Sequence, residues 1–230
     1  LSEYAISDDE EFIPYSVFDQ AVYPFEIGDT LTAYTTASDG NVYATNAVYA
    51  TAHDAATGTV ANTTATEFWL GYNGLSGGNY YVYRGFVYFD TSSLGAGSGI
   101  TAAVISFYGY DSIQTDAGQP DLAIVQGVQD DPLAADDFGD HLLKTTLGHD
   151  AYFARANWIT TGYNDITLNA TGRGWISKTA TTKFCTRVKG DIDKLTPTGD
   201  NGIRCWSNEK GAGYQPKLVT TYLPAVPPQT

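Results

Sequence analysis

The sequence predicts an all-β chain folded as an antiparallel β-sandwich, and three observations carry that prediction. Tyr (17), Gly (24) and Thr (29, against 12 Ser) are abundant while Met is absent; Thr and Tyr favour a pleated, half-exposed surface and Gly punctuates turns. Charged residues make up only 17% of the chain, and helix-forming Lys, Glu and Leu are scarce. From residue 31 onward, short apolar or alternating runs follow one another at regular spacing, the pattern of a sandwich or barrel.

At 230 residues the chain has the length of one large sandwich or two small domains. It is long enough to bury about 70% of its unfolded surface without a metal to hold it together. Apolar residues at 43% separate it from disordered chains. Residues 1–30 read as an acidic arm. Phe12, Ile13, Val17, Phe18, Val22, Phe25 and Ile27 are apolar there, but Pro14 and Pro24 interrupt them, and Pro suits an edge strand rather than a central one. Such an arm packs on its own sandwich or adds a strand to a neighbour's sheet.

The sandwich is placed at 31–223, followed by a Pro-rich tail at 224–230. Its expected strands are 31–35, 41–50, 66–71, 80–90, 100–110, 121–128, 164–169, 182–188, 202–207 and 217–222. Residues 80–89 are apolar or aromatic on both faces except at Arg84, which predicts a central strand. Residues 171–178 have the pattern of a single helical turn with Trp175 inward, and 129–140 that of a long acidic loop. No internal repeat or coiled coil is visible, and no run is apolar enough to span a membrane.

Charge is distributed unevenly. The net charge is −14, which disfavours nucleic acid and anionic polysaccharide as partners. Residues 1–83 hold 11 acids and no base; residues 84–230 hold 15 acids and 12 bases; within 173–217 nine bases face four acids. An acidic front and a locally basic back fit a head-to-tail contact between copies, although an acidic chain is also simply a soluble one.

Two cysteines, Cys185 and Cys205, flank a loop rich in turn formers. If the flanking runs pair antiparallel, a disulfide is expected between them, worth about 3 kcal/mol, and with it export from the cell. The chain begins at Leu1 rather than Met, as a product of signal removal does, and as a cloned fragment does too. Asn62 and Asn169 stand in N-x-Thr sequons and are candidate glycosylation sites.

Two blocks, Arg84-Gly85-Phe86-Val87-Tyr88-Phe89-Asp90-Thr91-Ser92-Ser93-Leu94 and Ile100-Thr101-Ala102-Ala103-Val104-Ile105-Ser106-Phe107-Tyr108, precede Ser207-Asn208-Glu209 and a closing Pro216-Lys217-Leu218-Val219-Thr220-Thr221-Tyr222. In this order the blocks resemble the DNRLRE-type jelly-roll domains, which are similar to carbohydrate-binding modules. The resemblance spans roughly 41–223 and lacks the motif that names the family. It implies a jelly-roll sandwich of the kind found in secreted, surface and phage-borne proteins of microbes.

Candidate chemistry is sparse. Asp130, Asp131, Asp136, Asp137 and Asp140 form an acidic loop that is either solvated or a Ca²⁺ site, although its spacing matches no EF-hand. His53, His141 and His149 lack the spacing of a zinc site and read as surface residues. No nucleophile elbow or phosphate loop is present, so no catalytic residue and no cofactor is assigned. Trp69, Trp158, Trp175, Trp206 and the run Tyr80-Tyr81-Val82-Tyr83 serve either the core or a platform for sugars or protein. The expectation is a non-enzymatic extracellular or cell-surface subunit that polymerises with copies of itself, its arm meeting the basic region of the next copy. A glycan-binding module of a secreted protein and a viral decoration or tail protein are the alternatives.

Overall fold

The computed structural model describes residues 28–116 and 119–225. Of the expected arm at 1–30, residues 1–27 lie outside the described residues, while Asp29 and Thr30 open the first strand; of the expected tail at 224–230, residues 226–230 lie outside them. The chain is mostly antiparallel β-sheet, as expected. The strands are β1 (Asp29–Tyr34), β2 (Gly40–Asn46), β3 (Val60–Asn62), β4 (Glu67–Ser76), β5 (Asn79–Asp90), β6 (Gly99–Gln114), β7 (Leu122–Gln126), β8 (Tyr163–Thr167), β9 (Thr181–Val188), β10 (Asn201–Trp206) and β11 (Lys217–Leu223). Among the described residues, four short helices accompany them: α1 (Tyr49–His53), α2 (Asp137–Asp140), α3 (Ala170–Gly174) and α4 (Lys189–Ile192). Among the described residues no helix is long and apolar enough to cross a membrane.

The strands form one curled sheet in the order β1-β11-β6-β10-β4-β5-β2-β3, with β8 on β6, β9 on β5 and β7 on β9. The curl lets the sheet close on itself. Ala33, Phe107, Ile166 and Leu218 from β1, β6, β8 and β11 meet Leu70, Phe89, Ile124 and Phe184 from β4, β5, β7 and β9 in one apolar cluster. This is the sandwich core, and it fits the jelly-roll expectation. β5 is central as predicted, with β2 along one edge and β4 and then β9 along the other. Its hairpin to β4 turns on Gly77 (φ 57°) and Gly78 (φ 81°), a two-residue turn that needs positive φ at both positions.

One predicted element changed. The run 41–50 is not one strand: the Asn46 side chain accepts a hydrogen bond from the Val48 N–H at 2.9 Å, and α1 begins at Tyr49. The expected turn around 171–178 is α3, and Trp175, which caps it, packs partly buried on the core. β3, only three residues long, was not foreseen.

A third layer covers the other face of β2, β5, β9 and β7. Val82, Phe86 and Tyr88 of β5 meet Tyr49 and Ala52 of α1 and Leu133 and Phe138 of the 129–140 loop. Arg84 points into this layer and is fully buried, as are Arg187 of β9 and Asp191 of α4. Asp191 accepts from Arg84 Nε at 3.1 Å and Nη2 at 3.0 Å, and from Arg187 Nε at 2.5 Å. The remaining guanidinium protons go to main-chain carbonyls. Arg84 donates to Phe138 (2.6 Å) and His53 (3.2 Å), and its guanidinium lies 4.0 Å from the Phe138 ring centroid. Arg187 donates to His141 (3.0 Å), Leu142 (3.3 Å) and Lys144 (3.0 Å). Burial alone pushes the Asp191 carboxyl up, but Arg187 and Arg84 hold it well below the usual carboxylate range. The triad therefore binds three covering segments (α1, the 138–144 stretch and α4) to two strands.

The expected disulfide is absent. Cys185 and Cys205 are free and buried. β9 and β10 do not pair: β9 lies against β5 and β7, while β10 lies against β4 and β6. The chain after Cys185 does not turn back as a hairpin but enters α4, whose Asp191 returns to Arg187. The cysteines accordingly fall in different apolar clusters, and burial pushes the Cys185 thiol up to about 12. Export no longer has a disulfide to support it.

Removing one member of a buried ion triad leaves the others uncompensated. Asp191→Ala is expected to lower unfolding stability by about 3–5 kcal/mol in a denaturant titration; a loss under about 1 kcal/mol, the range of an exposed pair, would contradict the role given to the triad.

Candidate binding face

The sequence-predicted candidates separate once placed. Trp158 is buried in the core, and Trp175 packs against it. Trp69 and Trp206 lie half-buried on the uncovered face of the sheet. The run 80–83 alternates: Val82 is buried in the covered layer and Tyr80 meets Tyr49 there, whereas Tyr81 and Tyr83 turn to the uncovered face beside Tyr43.

Strand register assembles that face. Tyr43, Tyr83 and Tyr72 sit directly opposite one another on β2, β5 and β4. Tyr43 and Tyr83 stack with ring centroids 4.7 Å apart, and Tyr83 meets Tyr72 edge-on at 5.4 Å. Between β4 and β10 the register shifts at Leu70, and this bulge puts Trp69 and Tyr72, three residues apart, on the same face with centroids 4.7 Å apart. Their rings lie over Gly202, where a Cβ would come within 2.6 Å of Trp69 and 2.8 Å of Tyr72. A second shift, between β10 and β6 at Tyr110, turns Tyr110 toward Trp206, with centroids 4.5 Å apart.

Cations sit on this row. The Arg204 guanidinium lies 4.6 Å from the Trp69 ring and 5.4 Å from Tyr110. Lys210 Nζ stands 4.0 Å over Trp206, and Lys217 Nζ 4.0 Å over Tyr163. Tyr214 and Tyr108 join the two lysine sites: Trp206–Tyr214 is 6.1 Å, Tyr214–Tyr108 4.8 Å and Tyr108–Tyr163 5.2 Å. The result is a continuous band of rings from β2 to β8. Tyr110 and Tyr214 are the most open of them, each 37% exposed. Arg204 has Glu67 at 3.9 Å; among the described residues no carboxylate pairs with Lys210 or Lys217. Each ammonium or guanidinium over a ring gains about 0.5–2 kcal/mol while keeping its charge available. The face is therefore suited to an extended partner that offers carboxylates and flat or apolar groups together.

Sequence reasoning named Trp69, Trp206, Tyr81 and Tyr83 of this band but not Tyr43, Tyr72, Tyr108, Tyr110, Tyr163 and Tyr214. The one signal for its cations was the basic stretch 173–217, which supplies Arg204, Lys210 and Lys217.

The histidines are not on the surface. His53, His141 and His149 are buried, because each bonds main-chain groups that no sequence pattern displays. His141 Nε2 accepts from the Val128 N–H at 3.0 Å and Nδ1 donates to Asp137 O at 2.7 Å. His149 Nε2 accepts from the Ile124 N–H at 3.0 Å. His53 bonds Asp191 O at 2.7 Å. The acidic loop is only partly solvated: Asp137 is buried and accepts from the Asp130 and Ala134 N–H groups at 2.7 Å each, whereas Asp130, Asp131, Asp136 and Asp140 are exposed. Among the described residues no group of three or more His, Cys, Asp or Glu side chains is placed to hold a metal ion. Of the sequons, Asn169 caps α3 by accepting from the Gly172 N–H at 3.0 Å, and Asn62 ends β3.

A scan against family models finds no match, and comparison with curated proteins finds none either.

Burial pushes His141 down to about 4, with His149 moved the same way. A neutral histidine of this kind stabilises fully above its unfolded pKa of about 6.5 and loses that contribution as pH falls through the folded value. The stability difference between wild type and His141→Gln, measured by thermal unfolding, is expected to shrink by roughly 3 kcal/mol between about pH 7 and pH 4; a difference independent of pH would contradict the buried neutral assignment.

Proposed function

We propose that this chain is a non-enzymatic structural subunit at a cell surface or outside the cell, which polymerises head-to-tail as the acidic arm of one copy lies across the aromatic face of the next. The observation that carries this reading is the band itself: rings across the sheet with Arg204, Lys210 and Lys217 seated on them. The arm offers the matching chemistry. Residues 1–27 contain seven acids and no base, and Asp8-Asp9-Glu10-Glu11 runs directly into Phe12, Ile13 and Pro14. Carboxylates placed on the cations and apolar groups on the rings satisfy both at once. A heterologous contact of this type generates a filament when its rotation does not close. An open cleft of about 330 Å³ beside β8 is a poorer seat, because Asp150 and Asp165 line it and repel an acidic segment.

A second reading uses the same face for glycans. Exposed Tyr110 and Tyr214 with half-buried Trp69 and Trp206 supply stacking planes, and the sequence blocks that resemble DNRLRE-type domains favour it. A viral decoration or tail protein is a variant of the first reading.

Sedimentation and negative-stain microscopy separate them. The full chain is expected to polymerise, and deletion of residues 1–27 to leave monomers. Lys210→Glu should raise the critical concentration about tenfold, equivalent to about 1.4 kcal/mol. Polymers formed by the deletion variant would overturn the proposal. A monomeric full chain retained on a polysaccharide gel, and released by Trp206→Ala, would establish the second reading instead.

A further inference from the structure

A tight turn, Asn208–Lys210, lies between β10 and β11 along the aromatic face. Lys210 belongs to this turn and Trp206 leads into it. Beneath it lies Asp39, completely buried at the end of the β1–β2 connection. Asp39 Oδ2 accepts from the Asn208 N–H at 3.0 Å. Its other oxygen, Oδ1, is buried with no hydrogen-bond donor, and so is Oε2 of the neighbouring Glu209. Two carboxyl groups thus stand side by side with one acceptor oxygen each left over, and among the described residues neither has a cationic partner. The other groups around Asp39 are the Thr35 hydroxyl and the buried Cys205 thiol. The nearby cations point elsewhere, Arg204 to Trp69 and Tyr110, Lys210 to Trp206.

One proton satisfies this arrangement: carried on Asp39, it makes an O–H···O bond to Glu209. We propose that Asp39 holds a proton that it donates to Glu209, and that this proton locks the Asn208–Lys210 turn and with it the Lys210–Trp206 part of the binding face. The regulatory part rests on the function proposed for that face; the proton on Asp39 does not.

The direction of the pH effect follows. Burial, then the charge of Glu209, pushes Asp39 from 3.8 up to about 8. A folded pKa above the unfolded one gives stability that is complete below the unfolded value and is lost as pH rises through the folded one. The lock is therefore closed at mildly acidic and neutral pH. It opens in alkali, when two adjacent carboxylates repel each other under the turn. The buried histidines act on the opposite, acidic limb.

Asp39→Asn and Glu209→Gln test this in the full chain, since either amide donates permanently where the proton did. The readout is hydrogen–deuterium exchange of peptides spanning 206–215, corrected for intrinsic rates, together with the melting temperature. Wild-type protection is expected to fall about tenfold between about pH 6.5 and pH 9.5, and both amide variants are expected to hold it. If one variant fails to fold, the other decides. Equal pH slopes in wild type and variants would overturn the proposal. So would a calcium-dependent rise in melting temperature that Glu209→Gln abolishes, because the pair would then hold a metal rather than a proton. A proton-dependent turn without polymers at either pH leaves the lock standing and removes the assembly reading. Polymers whose pH response ignores both variants do the reverse.

Discussion

The organisation of this chain depends on one carboxylate. Asp191 pairs with both Arg84 and Arg187, all three fully buried, and the two guanidiniums also donate to carbonyls of α1 and of the 138–144 stretch. Charges buried this deep persist only when paired and hydrogen-bonded throughout. The triad therefore decides which face of the β2–β5–β9 region is covered. With that side closed by helices and loops, the sandwich core takes the other side of β9 and the far half of β5. The uncovered remainder of β5, with β2, β4 and β10, is where the aromatic band lies.

That band is more than a chance surface. Two register shifts and Gly202 are needed to bring Trp69, Tyr72 and Trp206 to one side. The cations resting on it come from a stretch that is basic within an acidic chain. Cations on rings give a surface both apolar and positive, and the most acidic, most Pro-broken part of the same sequence is its complement. Asp39, buried beside Glu209, sits under the Asn208–Lys210 turn of this surface, so the proton proposed there bears on how the surface is presented.

The legible parts of the fold were those set by local pattern. Residues 80–89, apolar on both faces except at Arg84, announced the central strand, and nine further runs between turn formers announced the other strands apart from β3. What stayed hidden was set by pairing across long sequence distances. Arg84 was visible as the one charge in a central strand, but its partner lies 107 residues away. The cysteines were misread because a Gly- and Pro-rich interval of that length resembles a hairpin, whereas its first residues form α4 to deliver Asp191. The histidines bond main-chain atoms, which leave no trace in residue spacing. Tyr43 and Tyr72 each looked like an ordinary strand tyrosine; only the register makes them a row with Tyr83.

The central claim, that the aromatic face receives the arm of another copy, is tested most directly by placing a photo-crosslinking residue at position 214 in an equal mixture of isotopically heavy and light chains. Mass spectrometry of the irradiated assembly should give heavy-to-light links joining position 214 to residues 1–27. Links confined to one isotope, or none to residues 1–27, would contradict the account.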